Sequence, residues 1–297
     1  HLDLRASVLP YLEGRFTTDV KHDPDDDLTV RVKYAFARFT LGRTGFLRET
    51  FLEVGQVRRP WIFFEESFYR YRLQDGTFMD RLGLTTSADR GVTYGGFLGR
   101  MLPDRVRERL GRHHRGRWGS FAVGVYDGGG FKESEANTNK VVSARVTVRP
   151  LPQRLPGVRL SSFTSRGRGN TEEAPRWALD ALMLSWESER FIVTAQTLDR
   201  RGNPAGTATS AAGESLPGEG WSLFGELKLT EEWSLIGRRD AFDPDRRQPG
   251  DTRRRTIAGI ARHMGNRNMI LLDWERQTVA SRPRDDERLQ ATLQMAF

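Results

Sequence analysis

The chain has 297 residues, a formal net charge of +8 and a mean hydropathy of −0.59. No apolar run approaches the length of about 18 residues that a transmembrane helix requires, so that class is excluded. A membrane β-barrel is compatible, because its strands need only about 9–11 residues with alternate apolar side chains. The sequence contains no cysteine, which excludes thiolate metal sites, disulfides and cysteine nucleophiles.

The positive charge is almost entirely arginine: Lys and Arg total 47, and only five of these are lysine. A basic excess indicates anionic solutes or partners, and nucleic acid is the first candidate. The arginines are, however, scattered among acidic residues, and no long basic tract is present. A GC-rich genome explains the arginine excess equally well.

Two-residue apolar periodicity recurs along the whole chain, and helical periodicity is nearly absent. The pattern predicts fourteen strands. In chain order they are 4–20, 28–41, 46–57, 90–98, 117–127, 140–149, 157–165, 176–187, 190–199, 219–229, 232–242, 253–264, 267–278 and 287–297.

The connections alternate between short and long from the sixth strand onward. Turns such as "SER", "TEE" and "GNR" alternate with loops such as "RRGNPAGTATSAAGESLPGEG". Tight turns on one rim and long loops on the other are typical of an outer-membrane β-barrel. Because the predicted number of strands is even, both chain ends are predicted on the short-turn rim. The long connection "RMLPDRVRERLGRHHRGR" does not fit that rim, and we expect it to contain a short basic helix.

The alternation also predicts which side chains share a face. In "KVVSARVTVR", one face carries Val142, Ala144, Val146 and Val148, and the other carries Ser143, Arg145, Thr147 and Arg149. In "LTVRVKYAF", Leu28, Val30, Val32, Tyr34 and Phe36 are predicted to oppose Thr29, Arg31, Lys33 and Ala35. A close-packed interior would not accept the charged face, since unpaired buried ions cost several kcal/mol each. The pattern therefore predicts lipid on one side and a water-filled lumen on the other.

Aromatic residues cluster near the predicted strand ends, where interfacial girdles of a barrel would place them. The alternative is that they are core aromatics of a soluble β protein. They are Tyr11, Trp118, Trp177, Trp186, Trp221, Trp233 and Trp274.

The stretch "FLEVGQVRRPWIFFEESFYRYRLQDGTFMDRLGLTTSADRGVTYGG" resembles the phosphate-selective porin O/P family of outer-membrane porins. The shared features are a strand ending in "VGQ", a following "PW" with acidic residues, a loop carrying "RYR" and "DR", and "SADRGV" entering the next strand. "AVGVYDGGGF", "RRRTIAGIA" and the terminal "LQATLQMAF" resemble later strands of the same family. The chain is shorter than those porins and lacks their lysine-rich pore signature, so phosphate selectivity does not carry over.

The resemblance implies a single transmembrane antiparallel β-barrel of about 14 strands, with 16 as the alternative, in a homotrimer. It also implies that residues 58–89 form a constriction loop folded into the lumen. The terminal Phe297 would then be the aromatic residue on which such barrels close. Seven residues would line the constriction, namely Arg70, Arg72, Arg81, Arg90, Glu65, Glu66 and Asp80. Five would contribute from the lumen wall: Arg31, Lys33, Arg145, Arg149 and Arg238.

For each of these residues, the alternative is that acids and arginines pair and fix the loop in place. Catalytic patterns are weak, because the five histidines lack metal-ligand spacing and no G-x-S-x-G elbow is present. "DPDDD" could bind a divalent cation, but a solvated loop is the better interpretation. We therefore expect no enzyme activity, no cofactor and no metal site.

The predicted function is passive diffusion of small, preferentially anionic solutes across the bacterial outer membrane, since arginine rings favour anions. The start "HLDLRASVLPYLEG" carries no signal-peptide pattern, as expected of an exported chain whose signal has been removed. Expected partners are outer-membrane lipid or lipopolysaccharide and the solutes. One alternative is a barrel sheath that houses a protein in its lumen or binds one in the periplasm, such as a periplasmic electron carrier. A soluble nucleic-acid-binding β protein is the other, and is disfavoured because the aromatics share no stacking face.

Overall fold

The computed structural model describes residues 2–22, 28–110, 113–265, 268–281 and 285–295. The strands in these ranges are β1 (Leu2–Leu9), β2 (Leu12–His22), β3 (Leu28–Thr44), β4 (Leu47–Arg58), β5 (Ala88–Leu98), β6 (Gly119–Tyr126), β7 (Val141–Val148), β8 (Val158–Arg168), β9 (Arg176–Glu187), β10 (Phe191–Arg201), β11 (Pro217–Lys228), β12 (Trp233–Asp243), β13 (Arg253–His263), β14 (Met269–Val279) and β15 (Asp286–Gln294). The helices are α1 (Ile62–Glu65), α2 (Phe78–Arg81) and α3 (Asp104–Arg109). None of these helices has the length and apolar character needed to cross a membrane. The "DPDDD" loop and Phe297 lie outside the described residues.

The strands form one 15-stranded antiparallel sheet in which each strand pairs with its sequence neighbours. The predicted all-β antiparallel architecture is confirmed. The strand number differs because the predicted strand 4–20 is a hairpin, with Leu9 paired to Leu12 across Pro10 and Tyr11. The described chain therefore starts and ends on opposite rims, whereas both ends were predicted on the short-turn rim.

Loop length sorts by rim, as predicted. The turns 10–11, 45–46, 188–190 and 229–232 lie on the short-turn rim, and the longer connections 59–87, 127–140 and 202–216 lie on the long-loop rim. The connection 99–118 is a long segment on the short-turn rim. It contains α3, so the predicted basic helix is confirmed.

Burial alternates along the strands, with a face toward the interior and a face outward. In β7, Ser143, Arg145 and Thr147 are buried while Val142 and Val146 are exposed. The outward residues form an apolar belt that continues across the sheet. Its exposed members include Leu4, Phe16, Val30, Val54, Val92, Val125, Val148, Leu160, Leu184, Val193, Leu223, Leu235, Leu272 and Leu293. A continuous apolar surface of this kind is unfavourable in water and is typical of a lipid-facing barrel wall.

Strand β3 departs from the predicted faces at Tyr34 and Phe36. Thr17 of β2 pairs with Tyr34 and Thr18 pairs with Val32, so Lys33 is the extra residue of a β-bulge. A one-residue slip reverses the face of every later side chain. Tyr34 and Phe36 are accordingly buried on the inner side.

The predicted aromatic girdle is correct for most of its members. Tyr11, Trp118, Trp186 and Trp233 are exposed near strand ends, whereas Trp221 and Trp274 lie well inside β11 and β14. Trp177 is an exception, because it lies on the inner face of β9 and is 1% exposed. There it stacks against the Arg59 guanidinium at 5.2 Å.

The main apolar core lies inside the sheet, between the strands and the connection 59–87, which we term the inward segment. Trp61, Phe68 and Phe78 of this segment pack with inner-face residues such as Phe163 and Met183. The inner face was expected to meet water throughout. The segment instead covers much of β8–β14 with apolar side chains, which removes their area from solvent.

Candidate functional site

The inward segment is anchored where it begins. Arg59 is buried beside Asp89, with 3.6 Å between Nη1 and the carboxylate oxygen Oδ2. Its Nη2 donates hydrogen bonds to Ser143 Oγ at 2.7 Å and Ser165 Oγ at 3.1 Å. One guanidinium therefore joins the segment to the inner faces of β5, β7 and β8.

The middle of the segment is anchored to the opposite part of the sheet. Gln74 donates from Nε2 to Glu275 Oε2 of β14 at 3.0 Å, and Asp75 pairs with Arg255 of β13 at 2.9 Å. Arg238 of β12 donates from Nη1 to the Gly76 carbonyl at 3.0 Å. Charge-assisted bonds of this kind are stronger than neutral ones, so these contacts hold the segment rigidly across the interior.

Glu65 lies on the face of the segment that packs against the sheet. Its carboxylate accepts hydrogen bonds from Trp61 Nε1 at 3.1 Å and Gln196 Nε2 at 2.9 Å, and the residue is 8% exposed. Burial raises the pKa of Glu65 above its ordinary value, because it penalises the charged form. Glu65 was predicted to line the constriction, but the structure buries it between the inward segment and the sheet.

The other face of the segment carries a solvent-accessible ionic cluster. Arg72 binds Glu66 and lies 3.3 Å from Asp80, with Nη2 and Oδ2 as the nearest atoms. The three side chains are 39%, 22% and 26% exposed. We call Glu66, Arg72 and Asp80 the segment triad.

Charged residues of β2 and β3 lie near the segment triad. Lys33, the bulge residue, faces the interior and pairs with Asp19 at 3.8 Å. Its ammonium lies within electrostatic range of Arg72 and Asp80. The structure therefore brings together Arg72, Glu66 and Asp80 with the wall residue Lys33.

Two other predicted constriction residues lie elsewhere on the segment. Arg70 pairs with Glu187 at 3.4 Å, at the end of β9 that meets the short-turn rim. Arg81 pairs with Asp240 at 3.5 Å and Asp75 at 3.9 Å. The ionic contacts of both arginines are thus with acids that do not belong to the segment triad.

Arg90 and Arg31 come from the strands. Arg90 shares the outward face of β5 with exposed Val92 and pairs with Asp127 at 3.7 Å. It is not brought to the segment triad. Arg31 shares the inner face of β3 with Lys33 and is partly exposed.

The remaining predicted wall residues face inward but are covered. Arg145, Arg149 and Arg238 are 8%, 1% and 5% exposed. Arg238 pairs with Asp240 at 3.0 Å and stacks on Tyr69 at 5.0 Å. These guanidiniums are covered because the inward segment or the connection 99–118 lies over them.

Arg149 fixes the connection 99–118. Its guanidinium donates to the carbonyls of Gly116, His114 and Pro156, the His114 bond measuring 3.0 Å. The His114 ring stacks on Phe68 of the inward segment at 4.8 Å, with Nε2 2.6 Å from Ser67 Oγ. Burial, followed by the positive charge of neighbouring arginines, places the pKa of His114 well below its ordinary value.

Sequence reasoning missed the residues that hold the segment. Arg59, Arg255 and Glu275 are each almost fully buried. Arg255 donates from Nε to Glu275 Oε1 at 2.6 Å and from Nη2 to Glu275 Oε2 at 2.7 Å. The sequence signal for Glu275 was the alternation of side chains along the strand. Glu275 shares the inner face with Asp273, and exposed Leu272 lies on the other face. Parity assigns a face, but it does not say which part of that face the segment covers.

Comparisons with known proteins identify the fold. No protein-family model matches the sequence, and no curated protein matches it. Salmonella typhi OmpF in complex with daunomycin matches with a TM-score of 0.63 at 10% identity, over 98% of this chain and 86% of that one. The outer-membrane expressed OmpT of Vibrio cholerae matches with a TM-score of 0.59 at 10% identity, over 93% and 77%. A trimer form of the in-vitro folded Vibrio cholerae OmpT gives 0.52 at 12% identity, over 98% and 85%.

At these identities the similarity shows the fold alone. The chain has the antiparallel β-barrel fold of outer-membrane proteins, with an inward segment held against about half of its inner wall.

Proposed function

We propose that the protein is a channel of the bacterial outer membrane through which small solutes diffuse passively. The apolar belt supports a lipid-spanning location, and the charged inner faces support an aqueous path. The observation that carries the proposal is the segment triad, which is solvent-accessible, sits on a firmly anchored segment and lies within electrostatic range of Lys33. We assign the narrowest point of the path to the space between the segment triad and Lys33.

We assign the channel a modest anion preference. The segment triad and the Lys33–Asp19 pair together contain three acids and two bases, so these five residues carry no excess of positive charge. The net charge of +8 supplies the positive field that raises the local concentration of anions around this point. A homotrimer is part of the proposal, and its support is the family resemblance and the trimer form of one structural neighbour.

A sheath around a partner protein is less well supported. The inward segment occupies space that a protein in the lumen would need, and it is fixed by the buried Arg59–Asp89 pair and by the Asp75–Arg255 pair. The proposal therefore assigns water and small solutes to the lumen, and it requires neither a catalytic step nor a cofactor.

Planar-bilayer recording tests this function. The folded protein should give discrete conductance steps, and in a salt gradient the reversal potential should shift toward the anion equilibrium potential. Heat-modifiable gel mobility provides the control for folding. Folded protein that inserts without any conductance steps would contradict the channel function.

A further inference from the structure

A half-open cavity lies between the beginning of the inward segment and the connection 99–118. It is a cavity of about 210 Å³ bounded by β3–β7, the beginning of the segment and the connection 99–118. It does not include the segment triad or Lys33. The cavity therefore lies apart from the proposed constriction.

Five arginines line this cavity. One is Arg59, which pairs with Asp89, and each of the other four lies over a phenylalanine ring that also lines the cavity. The pairs are Arg38 over Phe51 at 3.7 Å, Arg145 over Phe64 at 4.3 Å, Arg58 over Phe63 at 4.5 Å and Arg115 over Phe97 at 5.4 Å. Stacking holds each guanidinium flat and leaves its edge free to donate hydrogen bonds. The result is a small chamber with cationic and aromatic walls.

The four positive charges are only partly neutralised. Glu53 pairs with both Arg38 and Arg58, the first at 2.7 Å, and Glu49 pairs with Arg115 at 2.6 Å. In the part of the chain that the structure describes, no carboxylate pairs with Arg145. Two carboxylates thus pair with three of these four guanidiniums.

Arg145 is the buried charge without a counter-charge. It is 8% exposed and donates from Nε to the Pro60 carbonyl at 3.1 Å, and from Nη1 to Ser120 Oγ at 3.1 Å and Thr147 Oγ1 at 2.7 Å. All three acceptors are neutral. A buried ion held only by neutral groups is costly, and an anion bound in the cavity would offset that cost.

We propose that this cavity binds a small aromatic carboxylate, with its carboxylate on Arg145 and its ring against the phenylalanine walls. The aromatic lining favours an anion with an apolar body over a fully hydrated one such as phosphate. Phe63 is 45% exposed although it lies inside the barrel, so its ring is accessible to a ligand. The inference rests on the proposed channel function, for which it names a class of retained solute.

Isothermal titration calorimetry of the full chain in detergent micelles tests the site directly, since it does not depend on conductance. The probes are benzoate, acetate and inorganic phosphate. We expect benzoate to bind about tenfold more tightly than either of the others, because only benzoate uses both the guanidinium and the rings. Equal affinities for benzoate and acetate, or tighter binding of phosphate, would overturn the aromatic class.

Two variants locate the site. Arg145→Gln should weaken benzoate binding about tenfold, and Phe63→Leu about threefold with acetate unaffected. Because Phe63 is half-exposed, its variant keeps a test available if Arg145→Gln does not fold. Arg166→Gln is the matched control, since Arg166 pairs with Asp180 on the outward face at 2.6 Å. Benzoate affinity that is unchanged in both cavity variants places the ligand elsewhere and refutes the site.

The binding and channel proposals fail separately. Benzoate binding that depends on Arg145, in a protein that gives no conductance steps, would refute the channel and retain the site. Conductance steps in a protein that does not distinguish benzoate from acetate would refute the site and retain the channel.

Discussion

Arg59 and Ser143 are 84 positions apart in the sequence, and a hydrogen bond of 2.7 Å from Arg59 Nη2 to Ser143 Oγ joins them inside the barrel. The same guanidinium lies beside Asp89 and is fully buried. The inward segment therefore leaves β4 at a fixed point. This anchor gives the most direct test of whether the segment controls the size of the channel.

Substitution Arg59→Met should release the start of the segment. The change keeps most of the side-chain volume but leaves Asp89 as a buried charge without its partner, which costs about 3–5 kcal/mol in soluble proteins. We expect a lower free energy of unfolding, measured in urea, and a larger and noisier single-channel conductance. The control Arg166→Met removes an exposed pair and should change stability by less than about 1 kcal/mol.

The double variant Arg59→Met/Asp89→Asn adds a check on mechanism. Because it also removes the unpaired carboxylate, it should recover part of the lost stability. If the single and double variants are equally unstable, the ion pair is not what anchors the segment.

Reversing the charge of Arg72 should shift the ionic preference of the proposed channel toward cations. Arg72→Glu places a third acid beside Glu66 and Asp80, near the Lys33–Asp19 pair, so cations should be favoured there. The reversal potential in a tenfold gradient of potassium chloride measures the change. Arg81→Glu should also weaken the anion preference but with a larger loss of stability, because Arg81 pairs with buried Asp240.

Unchanged reversal potentials in both variants would remove Arg72 and Arg81 from the conducting path.

The bulge in β3 predicts a reversal of accessibility between two close residues. Regular alternation would put Lys33 and Ala35 on the same face, but Lys33 faces the lumen and Ala35 is exposed on the outer side. The chain has no cysteine, so Lys33→Cys and Ala35→Cys each introduce a single thiol. In liposomes, a charged thiosulfonate reagent should modify Cys at 33 and spare Cys at 35. Equal modification of both thiols would exclude the bulge.

His114 should make stability depend on pH below neutrality. Its pKa is lowered in the folded protein, so the unfolded chain binds a proton more readily once the pH falls below about 6.5. Stability should then decrease by up to about 1.4 kcal/mol per pH unit until the folded-state pKa is reached. Above pH 6.5 the ring is neutral in both states and contributes no pH dependence.

Thermal denaturation at pH 7.5 and 5.5 measures this effect. The difference in Tm should shrink in His114→Gln and persist in His113→Gln, whose side chain is exposed. A wild-type Tm that is unchanged between these pH values would contradict the lowered pKa.

The alternation of side chains was sufficient to predict the outward face of β7, because lipid-facing and inner positions differ in hydropathy at every second residue. It failed at Pro10–Tyr11, where the turn lacks the Asn-Gly or Asp-Gly signal and the flanking leucines continue the apolar pattern. It failed again at Lys33, because a bulge adds one residue without any change in composition.

The candidate site was predictable only in part. The residues of the segment triad were in the predicted set because the family resemblance implied an inward-folded loop over residues 58–89. Arg145, Arg149 and Arg238 have the same parity as a pore-lining residue. Whether such a residue meets water or is covered depends on contacts across the barrel, such as Arg255 with Asp75, that no local pattern contains.

Trp61, Phe68 and Phe78 pack against one side of the barrel, and this position of the inward segment affects where solutes can pass. In the proposed channel, the route for solutes lies off-centre, on the side of the barrel that the inward segment leaves uncovered. Permeability should therefore fall as the smallest dimension of the solute increases.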